Sequence, residues 1–446
     1  MKKRLFIVAY FLSPLILISI LYFSIPGRYA NFELLMTMIL CASAYTWLSF
    51  QFMLSARPKF IERSFGMDRL YRFHGLIAFF ILTVAFFHRQ FIQKIFPESL
   101  KTQIGTAALI IFISISVLSI LLMSPSILLK VKPIKWVKKT IEKLTKVRYQ
   151  HLRLIHNLTI VAFILMNIHL LMTGNAKLFP LVKASYITYF VIFSLFYIYH
   201  KFIKKWLLSR NKFIVSRIVK ESPNMWSITM TQQSKRPLKY TPGQFGFFTF
   251  YQEGLKAEEH PFSISSAPHQ LPEISITVKE LGDYTKKIGS VLEGSFVTVD
   301  APYGKFSHSF HQDEEAVVFI AGGVGITPIL SMLRHMAKHD KDHKALLIWG
   351  MNTQEDYIIR DEIEQMQLSM KNLNIVPVIA FDPQYNGEKG FIDQEKITRL
   401  FQSTGWDLST TGFYVCGPGI LMDNTIKNLK LINVNKKHIH YEKFSL

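Results

Sequence analysis

Residues 71–88 read YRFHGLIAFFILTVAFFH, and residues 156–169 read HNLTIVAFILMNIH. Each is an apolar run with a histidine near both ends. His74 and His88 are 14 positions apart, His156 and His169 13 apart. At about 1.5 Å rise per residue, both spacings span roughly 20 Å of helix axis. Two such helices side by side would present two histidine pairs at two depths. Imidazole is an axial ligand of haem iron, and an ionisable residue inside an apolar helix is a functional candidate by default. The reading taken forward is that His74, His88, His156 and His169 hold two stacked haems. A lone histidine in an apolar helix is more often an interhelical hydrogen bond; four at matching depths are harder to explain that way. Geometry adds a condition. At about 100° per residue, 14 positions return to within about 40° of one face, but 13 leave the side chains about 140° apart. The second helix is therefore expected to bend or to carry a π-bulge.

Working outward, apolar segments cover roughly 5–25, 33–54, 72–93, 103–129, 152–173 and 181–204. Each can cross about 30 Å of hydrocarbon, so a six-helix transmembrane bundle is expected over 1–206. The chain of 446 residues is 49% hydrophobic with 37 Phe and a formal net charge of +21. Its Lys and Arg cluster beside apolar runs, which points to a lipid bilayer surface and not to nucleic acid. Arg57, Lys59, Arg63, Arg69 and Arg72 surround one connection; Lys130, Lys132, Lys135, Lys138, Lys139, Lys143, Lys146 and Arg148 fill another. The positive-inside rule puts both, the N-terminus and everything after Lys201 in the cytoplasm. The third and fifth helices then run parallel. His74 pairs with His156 at the inner depth, and His88 with His169 at the outer.

Residues 1–4 (MKKR) before an apolar run read as a retained first helix, since the run is long for a cleaved signal and no A-x-A site follows. Segment 133–148 reads equally as an interfacial amphipathic helix or a solvated basic one. Arg72, Arg89 and Arg153 sit near histidine depths, as haem-propionate partners or as ordinary interface anchors. Phe80, Phe87 and Phe163 lie between the two depths, with packing or lipid contact the plainer role. Two cysteines, Cys41 and Cys416, support neither a disulfide framework nor a Cys-ligated cluster.

After Arg210 the pattern changes. Phe213–Val219, Met225–Thr231, Gly246–Phe250, Glu273–Lys279 and Ser295–Asp300 are β-prone runs separated by Pro and Gly. They suggest a small antiparallel barrel over 207–311. From 312 to 446 an α/β domain is expected. The buried strand Ala316–Ile320 runs into AGGVGITP (321–328) and an apolar helix. Strand, Gly-rich turn and helix N-terminus together form a pyrophosphate site. Cys416, at the end of strand 413–416 and beside CGPG (416–419), suits the rim of a ligand crevice or, more plainly, a buried small side chain.

HPFSISSAP (260–268), GGVGITP (322–328) and CGPG (416–419) resemble ferredoxin-reductase-type flavin and nicotinamide domains. Joined to the histidine tetrad, the chain resembles the NADPH oxidase and ferric reductase superfamily in a bacterial form. The resemblance implies FAD at His260, Pro261, Phe262 and Ser263, with Ser263 near the flavin's reactive edge. It extends the site to Lys279, Gly282 and Thr285. It implies NADPH or NADH at Gly322, Gly323, Gly325, Thr327 and Pro328, with Cys416 and Gly417 beside the nicotinamide. Phe444 matches the C-terminal aromatic that covers the flavin. The chain departs by continuing to Ser445 and Leu446, by carrying Asn352 where NADPH users often have arginine, and by lacking an EF-hand loop.

The implied activity is a multi-pass cell-membrane oxidoreductase. It takes electrons from cytosolic NAD(P)H through FAD and two b-type haems to an external acceptor: O2, giving superoxide, or alternatively a ferric or other metal chelate. A histidine-lined proton or metal transporter with a regulatory redox domain is the rival from another class.

Overall fold

The computed structural model describes residues 2–25, 31–123, 136, 140, 149–234 and 236–442. Segment 133–148, apart from Trp136 and Thr140, lies outside the described residues, as do Phe444 and the side chain of Arg153. The chain divides into two compact units, one ending at Ile203 and one beginning at Lys204.

The first unit is helical: α1 (Lys2–Leu12), α2 (Pro14–Ser24), α3 (Phe32–Ser55), α4 (Lys59–Phe65), α5 (Met67–Ile95), α6 (Leu100–Met123), α7 (Tyr149–His156), α8 (Thr159–Leu171), α9 (Gly174–Leu178) and α10 (Pro180–Ile198). Among the described residues six helical stretches are long and apolar enough to cross a membrane. Pro14 has no N–H to continue the ladder, which separates α1 from α2 at Ser13. The core helix is α3: 56% of its apolar window is buried, against 17–22% in the other five. It packs against α2, α5 and α10. Buried polar groups fix its rotation. The Tyr45 hydroxyl lies 2.7 Å from Asn167 Oδ1 on α8 and 3.0 Å from the Tyr186 carbonyl on α10. Trp47 Nε1 donates to the Tyr10 carbonyl at 3.0 Å. In an apolar surround such bonds are left unmade only at high cost. A π-helical turn, Tyr199–Ile203, ends the unit.

The second unit opens with α11 (Lys204–Arg210), anchored by Lys204 Nζ to Asp300 Oδ2 at 2.6 Å. A six-stranded antiparallel barrel follows, from β1 (Lys212–Ser222), β2 (Met225–Gln232), β3 (Phe245–Tyr251), β4 (His260–Ser263), β5 (Glu273–Lys279) and β6 (Phe296–Tyr303), in the order β4-β3-β6-β1-β2-β5. A bridge between Ile264 and Ile276 joins the outer members and closes it. Alternate residues, such as Ile228 and Met230, or Phe248 and Phe250, fill the interior, as a period of two requires.

The α/β layer comprises β7 (Ala316–Gly322), α12 (Ile326–His339), β8 (Lys344–Met351), α13 (Arg360–Ser369), β9 (Leu373–Ile379), β10 (Glu388–Lys389), α14 (Gln394–Gln402), β11 (Thr411–Cys416), α15 (Gly419–Leu431) and β12 (Ile439–Tyr441). The sheet is parallel, ordered β10-β9-β8-β7-β11-β12. Every residue of β7 is buried because both faces are covered: Val317, Phe319 and Ala321 enter one core, Val318 and Ile320 the other. The strand order reverses between β7 and β11. That is the topological switch point at which open α/β sheets bind ligands.

Candidate functional site

The helical unit brings the histidines together in the expected pairs. The rings of His74 on α5 and His156 on α7 have centroids 6.4 Å apart. Metal–imidazole bonds are about 2 Å long, and a ring centroid lies about 1 Å behind its nitrogen, so an iron shared axially holds two centroids about 6 Å apart. His88 and His169 line one cavity of about 260 Å³ with Cys41, Leu48, Arg89 and Phe112. The unequal spacing is resolved by a break. At residues 157 and 158 the helix tightens to i→i−3 bonding, with Asn157 N bonded to the Leu154 carbonyl at 3.1 Å and Leu158 N to the Ile155 carbonyl at 2.9 Å. This turn separates α7 from α8 and, at about 120° per residue in place of 100°, changes the angle between His156 and His169.

Hydrogen bonds decide which nitrogen is available. His88 Nδ1 lies 3.1 Å from the Thr37 carbonyl, and His169 Nδ1 lies 2.6 Å from the Lys101 carbonyl. A carbonyl only accepts, so in both rings Nδ1 carries the proton and Nε2 keeps its lone pair. His156 Nδ1 meets Ser119 Oγ at 3.2 Å. This is the outer support that metal-bound histidines carry. Among the described residues His74 Nδ1 is buried with no hydrogen-bond partner. Residues that sequence reasoning passed over complete the set. Gly105 lets α6 touch His169: a Cβ there would stand 2.8 Å from Nδ1. A glycine within an apolar helix was its only signal. Arg89 Nε donates to Thr106 Oγ1 at 3.1 Å and lines the same cavity. Phe163 is buried between Phe52 and Phe190, a packing role; Phe80 and Phe87 are exposed.

In the barrel, β4 carries His260, Pro261, Phe262 and Ser263 along β3. The His260 ring stacks on Tyr284 at 3.7 Å, which joins this strand to the turn at Gly282–Thr285. Thr285 Oγ1 accepts from the amides of Leu281 and Gly282, both at 2.9 Å. Among the described residues nothing lies within 4 Å of a Cβ placed on Gly282, which leaves its backbone open to a phosphate. Lys279 ends β5, paired with Met225. That end of the barrel meets the nucleotide layer: Met225 packs into the core beneath α12, and β5 lies beside the Gly323–Gly325 turn. The flavin and nicotinamide motifs therefore adjoin.

At the switch point, two loops touch backbone to backbone. A Cβ on Gly325 would stand 2.4 Å from the Cys416 carbonyl oxygen, and one on Gly417 3.0 Å from Gly322 N. Gly323 has φ +51°, and a Cβ there would meet nothing within 4 Å among the described residues. Trp349 Nε1 donates to its carbonyl at 3.0 Å, and Thr327 Oγ1 donates to the Val324 carbonyl at 2.6 Å. Pro328 enters the first turn of α12, where its missing N–H costs nothing. Cys416 is 1% exposed. Burial, with a smaller contribution from Glu442, pushes its thiol well above the ordinary range, so it presents a neutral, soft surface.

Two family models match this unit: an "Oxidoreductase NAD-binding domain" over 319–427 and an "FAD-binding domain" over 210–349. The chain is 27% identical over 197 residues to the sulfhydrogenase 2 subunit gamma of Pyrococcus furiosus, covering 43% of this chain and 67% of that protein. It is 27% identical over 176 residues to cytochrome b5 reductase 4 of Rattus norvegicus, covering 39% of this chain and about a third, 34%, of that one. Among solved structures, the FAD/NAD-binding domain of nitric oxide dioxygenase from Vibrio cholerae aligns at TM-score 0.47 and 24% identity, covering 52% of this chain and 98% of that one. The chain thus carries an FAD-binding domain and an oxidoreductase NAD-binding domain, the parts of a flavin- and NAD(P)H-dependent electron-transfer oxidoreductase.

Proposed function

We propose that the chain is a multi-pass membrane oxidoreductase that carries electrons from NAD(P)H through FAD and two bis-histidine haems to an acceptor across the bilayer. The N-terminus and the flavin and nucleotide domains lie on the cytoplasmic side in this reading, from the basic connections. The observation that supports it most is the set of Nδ1 bonds at His88 and His169, two residues lining one cavity, which leave the lone pair of each Nε2 for a ligand role. When bound, FAD takes the electron pair of a hydride and releases electrons singly, and haem iron carries them one at a time.

The chain's own residues do the positioning. Gly323 and Gly325 open the switch point to a pyrophosphate, and Cys416 bounds the nicotinamide end without titrating. Ser263 stands at the flavin's reactive edge, with Thr285 and Gly282 at the phosphates. His74 with His156, and His88 with His169, would hold the two haems. With two imidazoles given to each, the acceptor would take its electron without binding iron.

Arg89, Lys94 and Lys101 cluster in sequence about the outer pair against a single acid, Glu98, and Arg89 and Glu98 both line its cavity. Positive charge there attracts anions. An anionic metal chelate, such as a ferric complex, is therefore the acceptor favoured. Dioxygen giving superoxide is the second reading, favoured by the apolar lining from Leu48, Ile81, Leu82 and Phe112, which admits a small neutral molecule. The test is the absorption spectrum of the purified full chain, followed by NADH-driven reduction of ferric citrate with and without superoxide dismutase. Reduced b-type bands at two haems per chain, with dismutase-insensitive ferrous production, are expected. A spectrum without haem bands would leave a transporter with a redox domain standing instead.

A further inference from the structure

Five of the chain's 15 histidines gather away from the sites described above: His269, His308, His335, His339 and His343. Three form a compact group. His335 and His339 stand one turn apart near the end of α12, with ring centroids 4.8 Å apart. His269 belongs to the short turn Pro268–Gln270 that follows the flavin motif, and its ring lies 5.3 Å from His339 and 6.5 Å from His335. One nitrogen from each ring lies within 4.8 Å of the others. Tetrahedral ligands at about 2.0–2.1 Å from a zinc ion stand about 3.3 Å apart, so rotamer adjustments of about 1 Å close the set.

We propose that His269, His335 and His339 bind one divalent transition-metal ion of the zinc class, and that this ion braces the flavin barrel against the helix carrying the nucleotide turn. The ligand set selects the metal: three imidazoles, with neither thiolates nor a carboxylate cage, suit zinc, nickel or copper and not calcium or magnesium. Three protein ligands leave a fourth position for water.

The surroundings favour an ion over a hydrogen-bonded cluster. Among the described residues His335 Nδ1 is buried with no hydrogen-bond partner. A second group, His311, Glu314 and His440, shows the contrast. Glu314 there already binds Tyr414 and His440, each at 2.6 Å, and His438 at 3.1 Å, so its oxygens are taken up by structure.

Position gives the ion its effect. Ser331 Oγ donates to the Ser266 carbonyl at 2.5 Å, and Arg334 Nη1 donates to the Ser265 carbonyl at 2.8 Å. Residues 331, 334 and 335 share one face of α12, and that face already lies against segment 265–270. A metal at His335 and His339 continues this seam by one turn. Since α12 descends from the Gly323–Gly325 turn, the ion ties the nucleotide loop to the segment that follows the flavin strand.

The test uses the full chain, FAD-loaded and in detergent, dialysed against Zn2+ and then counted for metal. The wild type should retain one more zinc per chain than the His335→Gln/His339→Gln double variant, and His339→Gln alone should bind at least about tenfold more weakly. Zn2+ should raise the temperature of flavin release in the wild type and not in the double variant. Exposed His269→Gln, in the barrel, gives the same comparison without altering the helix. Equal zinc in wild type and variants, or loss on His311→Gln instead, overturns the site. Zinc bound with no thermal shift overturns the brace.

Discussion

Gly105→Ala isolates the outer histidine pair from everything else. Its Cβ would stand 2.8 Å from His169 Nδ1 and 3.0 Å from Cε1 and Cγ. Carbon contacts are comfortable at about 3.5–4.0 Å, so the ring must retreat by roughly 0.6 Å. His169 Nδ1 is held at 2.6 Å from the Lys101 carbonyl. A retreat of that size stretches the bond to about 3.2 Å, the edge of its range. Metal–ligand distances tolerate only about 0.2 Å. Overpacking costs about 1–3 kcal/mol, which corresponds to about 5- to 150-fold weaker retention at the outer pair. The assay is haem per chain after expression at limiting haem, by pyridine haemochrome. The count should fall from two toward one, while NADH still bleaches the FAD at the wild-type rate. Gly174→Ala, where a Cβ meets nothing within 4 Å among the described residues, is the control. Two fully retained haems in Gly105→Ala, or loss of flavin reduction, would refute the placement of His169 as a ligand supported from Lys101.

His88→Ala should lose the outer haem alone, with NADH-driven flavin reduction intact; its loss would contradict the electron order. Glu314→Gln tests a buried network facing His440, His438, Tyr414 and His311. Burial alone would raise this carboxyl, but bonds from His440, Tyr414 and His438 hold it below its ordinary 4.5. A depressed folded pKa gives stability that is full above the unfolded value and lost as pH falls through the folded one. The wild type's melting temperature should therefore drop below about pH 4.5, while Glu314→Gln starts about 1–3 kcal/mol lower and changes less there. Cys416→Ser should keep its FAD yet slow hydride transfer by about ten- to a hundredfold through misplacement. Because burial keeps the wild-type thiol protonated, iodoacetamide should not inactivate it. Asn352 follows β8, with its amide 3.3 Å from Asp356 Oδ2 and Glu355 adjacent. A 2′-phosphate would meet negative charge there, so NADH should be preferred, and Asn352→Arg should raise kcat/KM for NADPH about tenfold.

Most of the flavin and nucleotide half was legible because its signals are local. Strand 273–279 and the glycine turn after 316–320 fold where their patterns say. What was not legible was assembly. The switch point between β7 and β11 depends on which strands pair across about ninety residues, and no local pattern encodes that. The approach of Gly325 to the Cys416 carbonyl is likewise invisible until both loops are in place. The histidines at 269, 335 and 339 drew no attention in sequence, because only the fold of α12 against 265–270 makes them neighbours.

In the helical half the misfit of the 13-residue spacing carried the most information. A uniform helix from 149 to 171 would turn His156 and His169 about 140° apart, so at most one could face α5. The observed turn at Asn157 and Leu158 breaks the ladder within two residues of His156. Asn157 is a poor helix former whose side chain competes for backbone bonds, and here its Oδ1 accepts from Lys201 Nζ at 3.4 Å. The break lies beside the inner histidine, not midway, so α8 keeps an unbroken ladder from Thr159 to His169. It therefore reorients His156 without disturbing the packing of Phe163 and Asn167 on α3. Replacing Asn157 and Leu158 with alanine should straighten the helix and disturb the His74–His156 pair, leaving His88 and His169 in place. Spectra in which the outer haem is lost first would show that the break serves the outer pair instead.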